Sequence, residues 1–253
     1  MKHFLTLLSH ELRMLLVSPG TYIAATAFLA FMGFMFVGIL ESYSKAAQEV
    51  SPAIQFFQFF WLPVFFMVPL LTMKCLAEER RLGTIETLLT TPVTTTEVVL
   101  GKYGAAYLLY VALWGSTAGF FYILKRFSGD ARFIDLGPLI GGYSFIAVSG
   151  LLFVAIGVFA SSLSRNQAVA GILCFTMLFG LVIGGGFLAE ADWVKRDGME
   201  AVREIVGYVQ VVTHRDDFTR GVVDARELLF YLSGSVLALI FSILGVEAKL
   251  LHA

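Results

Sequence analysis

The residues able to do chemistry in this sequence gather in one polar interval, residues 74–102, which reads KCLAEERRLGTIETLLTTPVTTTEVVLGK. Glu78, Glu79, Arg80 and Arg81 place two carboxylates beside two guanidiniums. That quartet is either a solvated charge cluster or a set of ion pairs that orients a helix. Elsewhere the usual catalytic constellations fail. His10-Glu11 is not followed by a second histidine at zinc-protease spacing, and no G-x-x-x-x-G-K-[ST] phosphate loop occurs. The four histidines, His3, His10, His214 and His252, fall outside the apolar stretches, so an intramembrane serine protease has no base. Cys75 and Cys174 read as small core residues rather than a disulfide or a metal site.

The elements that must carry these groups follow from charge spacing. Of 253 residues, 58% are hydrophobic and 15% charged, with net charge -1. Soluble domains average about 25% charged residues. Stretches without Asp, Glu, Lys or Arg cover 14–40, 50–73, 103–124, 136–164, 166–189 and 228–246. A helix needs roughly 20 mostly apolar residues to cross a bilayer. The reading is an all-α polytopic membrane protein in one domain, with spans at about 19–40, 54–74, 99–124, 138–160, 167–189 and 228–248. No charged residue is expected inside a span, which argues against a carrier energised by its own proton or ion sites. The charge balance offers no basic surface for nucleic acid. Six spans put both termini on one side; the basic residues as a whole divide almost evenly between the two sides, while those around the first three helices lean toward a cytoplasmic N-terminus.

Residues 2–17 project as an amphipathic helix lying in the membrane interface, broken at Pro19-Gly20. Phe4, Leu5, Leu8, Leu12, Leu15 and Leu16 form the apolar arc, and Arg13 lies opposite. Glu11 intrudes between Phe4 and Leu15. Either it reaches sideways to headgroups and water, or this face packs on protein and Glu11 meets a buried cation, with Arg80 and Arg81 as candidates. Past the second span, helix is expected over Ala77–Arg81 with Gly83 as terminator. Thr84 would cap a short helix with Glu86 in its first turn, ended by Pro92. Thr94 and Glu97 make a capping box that opens the third span. The long polar interval 190–227 is expected to be partly helical, around 199–207, with Val209–Val212 as a buried plug and Asp224 starting the last span. Gly33, Gly38, Gly115, Gly119 and Gly184–Gly186 offer close helix approach. An aromatic block from Phe56 to Phe66, flanked by Gln55 and Gln58, reads as membrane belt and core, or as part of an apolar path.

Interval 74–102 resembles the signature of ABC-2 type transporter permeases: acidic-basic pairs, Gly-Thr-x-Glu-x-Leu-Leu, Pro, then an acidic helix start running to Gly-Lys. The residues carrying it are Glu78, Glu79, Arg80, Arg81, Gly83, Thr84, Glu86, Leu88, Leu89, Pro92, Glu97, Gly101 and Lys102. The leader Glu11–Arg13 with Ser18-Pro19, the stretch Ser161–Gln167, and Asp217–Arg226 agree with it. The last is most similar to the gliding-motility-associated branch. The resemblance implies a six-span subunit of the bacterial cytoplasmic membrane with both termini cytoplasmic and residues 190–227 outside. It implies no ATPase domain and no cofactor in this chain, ATP and Mg being bound by a partner ABC ATPase subunit. A second permease subunit, identical or related, would complete an export path, with membrane lipid and an accessory envelope subunit as further partners. Residues 84–91 would be the coupling helix that docks on the ATPase, oriented by Glu78–Arg81 and the interfacial-helix residues Glu11 and Arg13. Two rival readings remain: a stand-alone secondary carrier or channel, and a structural anchor of an envelope complex.

Overall fold

The computed structural model describes residues 2–45, 50–83, 93–128, 135–191, 194 and 198–250. Among these, all regular structure is helical. In chain order the helices are α1 (Lys2–Val17), α2 (Pro19–Lys45), α3 (Pro52–Gln58), α4 (Trp61–Thr72), α5 (Ala77–Leu82), α6 (Thr95–Ser116) and α7 (Ala118–Ser128). They continue as α8 (Leu136–Leu163), α9 (Gln167–Phe179), α10 (Gly185–Glu190), α11 (Glu200–Tyr208), α12 (Val211–Thr219) and α13 (Ala225–Leu250). Six stretches are long and apolar enough to cross a bilayer: Pro19–Lys45, Trp61–Leu82, Thr95–Ser128, Leu136–Leu163, Gln167–Glu190 and Ala225–Ala248. This is the expected all-α polytopic class.

Several spans are less regular than their hydropathy suggests. The second begins as α3, turns at Phe59-Phe60, and resumes as α4. The third steps at Thr117, whose hydroxyl lies 2.8 Å from the Tyr143 hydroxyl. The fifth widens into a π-helical turn at Gly180–Gly184 before α10. Hydropathy averages over these breaks because no charge marks them.

α8 is the spine. It is the most buried span, touching α4, α6, α9, α12 and α13. Its glycines make this possible. A Cβ at Gly142, Gly150 or Gly157 would overlap the Phe57 ring, the Tyr110 ring or the Thr72 side chain. The Tyr103 and Tyr107 hydroxyls of α6 donate to the α8 carbonyls of Leu151 at 3.1 Å and Ala147 at 2.9 Å. The glycines expected to pack closely do so less. Among the described residues a Cβ at Gly38, Gly115, Gly119, Gly184 or Gly186 would touch nothing, and Gly115 and Gly119 flank the step between α6 and α7. Spacing on one helix cannot say which face meets a neighbour. The aromatic block is mostly core: Phe56, Phe57, Phe60 and Phe65 are buried, while Phe59 and Phe66 are exposed.

Helix parity defines two ends. The proximal end gathers α1, α5, the start of α6, and the link from α8 to α9. The distal end gathers α3, α11, α12 and the start of α13. The α12 helix replaces the expected plug: Val211 is buried within it and Val212 is exposed.

Candidate functional site

The proximal junction begins with α1. Phe4, Leu7, Leu8, Glu11, Leu12 and Leu15 form its inward stripe, while Leu5 and Leu16 are exposed. The inward face is therefore rotated from the expected apolar arc. The cause lies on α6, where Gly101 and Gly104 leave room for Leu7 and Leu8: a Cβ at Gly104 would come within 2.9 Å of the Leu8 side chain. This contact turns Glu11 toward protein rather than toward water.

The cation that meets Glu11 is Lys102, not Arg80 or Arg81. Lys102 Nζ lies 2.7 Å from Glu11 Oε1 and 2.7 Å from Glu79 Oε1. Lys102 is 5% exposed, against 20% for Glu11 and 19% for Glu79. So the expectation that no charge enters a span fails at Lys102, about two turns into α6. Two carboxylates compensate it at hydrogen-bonding distance, as a buried ammonium requires. One side chain thus ties α1, α5 and α6 together. Arranged this way, Lys102 is a structural clasp rather than a proton relay.

The rest of the charged quartet divides. Arg80 donates to the Ser162 carbonyl at the end of α8. Arg81 and Glu78 form an exposed pair 3.9 Å apart along α5. Arg13 is exposed on α1. The turn between α4 and α5 is stitched by Ser161, whose hydroxyl accepts from the N–H groups of Leu76 at 3.0 Å and Ala77 at 3.1 Å. It also lies 3.2 Å from the Met73 carbonyl. Three backbone groups freed by the helix break are satisfied by one residue from another span.

Gly83 ends α5 in the left-handed region, at φ 69°, where a side chain would be strained. Across the following interval, Thr94 and Glu97 close the expected capping box: Thr94 Oγ1 accepts from the Glu97 N–H at 3.2 Å, and Glu97 Oε2 accepts from the Thr94 N–H at 3.2 Å. Thr84, Glu86, Leu88, Leu89 and Pro92, expected in a coupling helix, lie outside the described residues. What is described is the pair of roots on which that interval hangs, α5 and α6, and Lys102 pins one to the other.

Lys102 is the residue whose role sequence reasoning missed. Its signals were the acid on the inward stripe of α1 and the Gly101-Lys102 step that closes the signature. Counting charge-free runs hid it by treating Lys102 as a boundary.

No curated protein matches the chain. The sequence pattern of ABC-2 family transporter proteins matches residues 38–200, which is more than half of the chain and includes the interval between the second and third spans. The chain therefore belongs to the ABC-2 transporter family, as a membrane-spanning permease component of the kind that works with an ABC ATPase.

Proposed function

We propose that this chain forms the membrane path of an ATP-driven exporter in a bacterial cytoplasmic membrane. The path lies between two permease subunits, identical or related, and the force comes from separate ATPase subunits that bind ATP and Mg. In this reading both termini are cytoplasmic, residues 190–227 face outward, and segment 84–91 is the coupling helix. The similarity of Asp217–Arg226 supports placing the chain in the gliding-motility-associated branch, with an accessory envelope subunit as a further partner.

The observation that carries the reading is the Lys102 clasp. A docking segment passes motion into the spans only if its roots cannot slide independently. Lys102 joins the end of the second span, the start of the third and the interfacial helix, while Arg80 and Ser161 fasten the same place to α8. A push at 84–91 then moves one unit rather than one loop. The clasp also disfavours a self-energised carrier, because the buried ammonium is committed to two carboxylates.

The test is coupling. Purification from native membranes retains an ABC ATPase, and Gly83→Pro or Glu86→Lys leaves insertion intact while breaking the dependence of transport on ATP hydrolysis. Full coupling in both variants, or labelling of Thr87→Cys from the periplasm in intact cells, overturns the assignment.

A further inference from the structure

At the distal end, α11, α12 and the start of α13 line an open cleft of about 240 Å³. Four carboxylates line it: Glu204 from α11, Asp217 from α12, Asp224 just before α13, and Glu227 in the first turn of α13. Against them stands the Arg226 guanidinium, 6.0 Å from the centre of the Tyr208 ring. His214 also lines the space, its Nδ1 3.0 Å from the Tyr231 hydroxyl. Burial lowers the His214 pKa, opposed by Asp217 and Asp224, so the ring adds no fixed positive charge near neutral pH.

Glu227 is the group that asks for a ligand. It is 8% exposed, yet among the described residues its buried Oε2 has no hydrogen-bond partner. The charged groups acting on it are Asp217 and Asp224, both acids. A buried carboxylate oxygen left without a donor is costly, and like charges add to that cost. Asp217 shares a side-chain hydrogen bond with Glu227, but among the described residues no cation meets this carboxyl as Glu11 and Glu79 meet Lys102.

We propose that this cleft binds a protonated amine, with Glu227 Oε2 accepting from the ammonium group and Asp217 and Asp224 supplying counter-charge. An ammonium carries three donors and needs only one strong acceptor in a negative cleft. A bare metal ion needs more. Among the described residues no three His, Cys, Asp or Glu side chains are grouped to hold one.

Binding to this chain needs no ATPase subunit, so the test is independent of the coupling assignment. n-Propylammonium chloride is titrated calorimetrically into the full chain in phosphatidylcholine nanodiscs, with sodium chloride holding ionic strength constant. Saturable one-to-one heat is expected, with about tenfold or more weaker binding in Glu227→Gln. If Glu227→Gln fails to fold, Asp224→Asn is read instead, because its amide oxygen still caps the Arg226 N–H (2.9 Å in the parent). Several-fold weakening is expected there. The absence of saturable heat, undiminished affinity in the variant, or displacement of the amine by equimolar calcium chloride overturns the proposal.

Discussion

Both ends of this molecule bury charge, and they do so in opposite ways. At the proximal end Lys102 lies between two glutamates, and its ammonium holds a carboxylate oxygen from each. At the distal end Glu227 lies among acids, with one oxygen unmatched. The cost of removing an ion from water is similar in the two places, so the difference lies in what offsets it. Partners from the same chain fix geometry: three helices cannot move apart without exposing a charge. A missing partner leaves free energy for something that arrives. The proximal end is therefore built to hold, and the distal end to bind.

The largest expected effect breaks the first half of this contrast. Lys102→Met leaves Glu11 and Glu79 facing each other in a buried site and should cost about 3–5 kcal/mol, read as a large fall in the midpoint of thermal unfolding in detergent. A double-mutant cycle sharpens it. Glu11→Gln and Lys102→Met should couple by about 1–3 kcal/mol, whereas Glu11→Gln and Arg80→Met should add simply. Additivity in the first cycle would dissolve the clasp. Arg81→Ala, which touches only an exposed pair, should change stability by less than about 0.5 kcal/mol and serves as the control.

Two intermediate effects test whether the ends share one frame. Gly150→Ala drives a methyl into the buried Tyr110 ring against α8, and overpacking of this kind costs about 1–3 kcal/mol. Gly115→Ala meets nothing and should be neutral or slightly stabilising, since alanine favours helix. Equal effects at the two positions would contradict the assignment of α8 as spine. Ser161→Ala strips the acceptor from the Leu76 and Ala77 N–H groups, at a cost of about 1–3 kcal/mol. Its readout is faster hydrogen exchange confined to residues 73–83.

The contrast also explains what could be seen in the sequence. Span number was legible because roughly 20 charge-free residues are a strong, local signal. So were Gly83 and the Thr94–Glu97 box, whose chemistry acts within three residues. Glu11 was legible as a misfit, since a carboxylate on an apolar stripe demands a partner. The partner was not legible, because Lys102 is 91 residues away and its helix face was unknown. The same limit hid Gly142, Gly150 and Gly157, whose purpose appears only with the rings packed on them. The break between α3 and α4 and the π-helical turn at Gly180–Gly184 change no hydropathy and left no mark. At the distal end Asp224 was legible as a helix start. The acids it joins come from three helices, and α12 itself was not expected.

The smallest expected effect reads the distal end by pH. His214 packs against Phe230 and Tyr231, and Asp217, Asp224, Glu204 and Glu227 share its cleft. Burial is the dominant influence and lowers its pKa below the ordinary value near 6.5. Above that value the ring is neutral in both folded and unfolded chains and contributes no pH dependence. As pH falls below about 6.5, the unfolded chain takes up its proton first, so unfolding is favoured and stability declines until the folded ring also protonates. Asp217 and Asp224 shorten that window, because each favours the imidazolium. The His214 contribution to the thermal midpoint, read as the difference between the parent and His214→Gln, should therefore slope downward as pH falls below about 6.5. His214→Gln, which can still donate to the Tyr231 hydroxyl, should remove that contribution without lowering the midpoint at pH 7.5. An unchanged slope would mean that His214 is not buried among these acids, and the cleft would lose its neutral wall. Amine binding sharpens the same measurement. If the site holds a cation, protonating His214 adds a competing positive charge, so affinity for n-propylammonium should fall over the same pH interval in the parent and hold steadier in the variant.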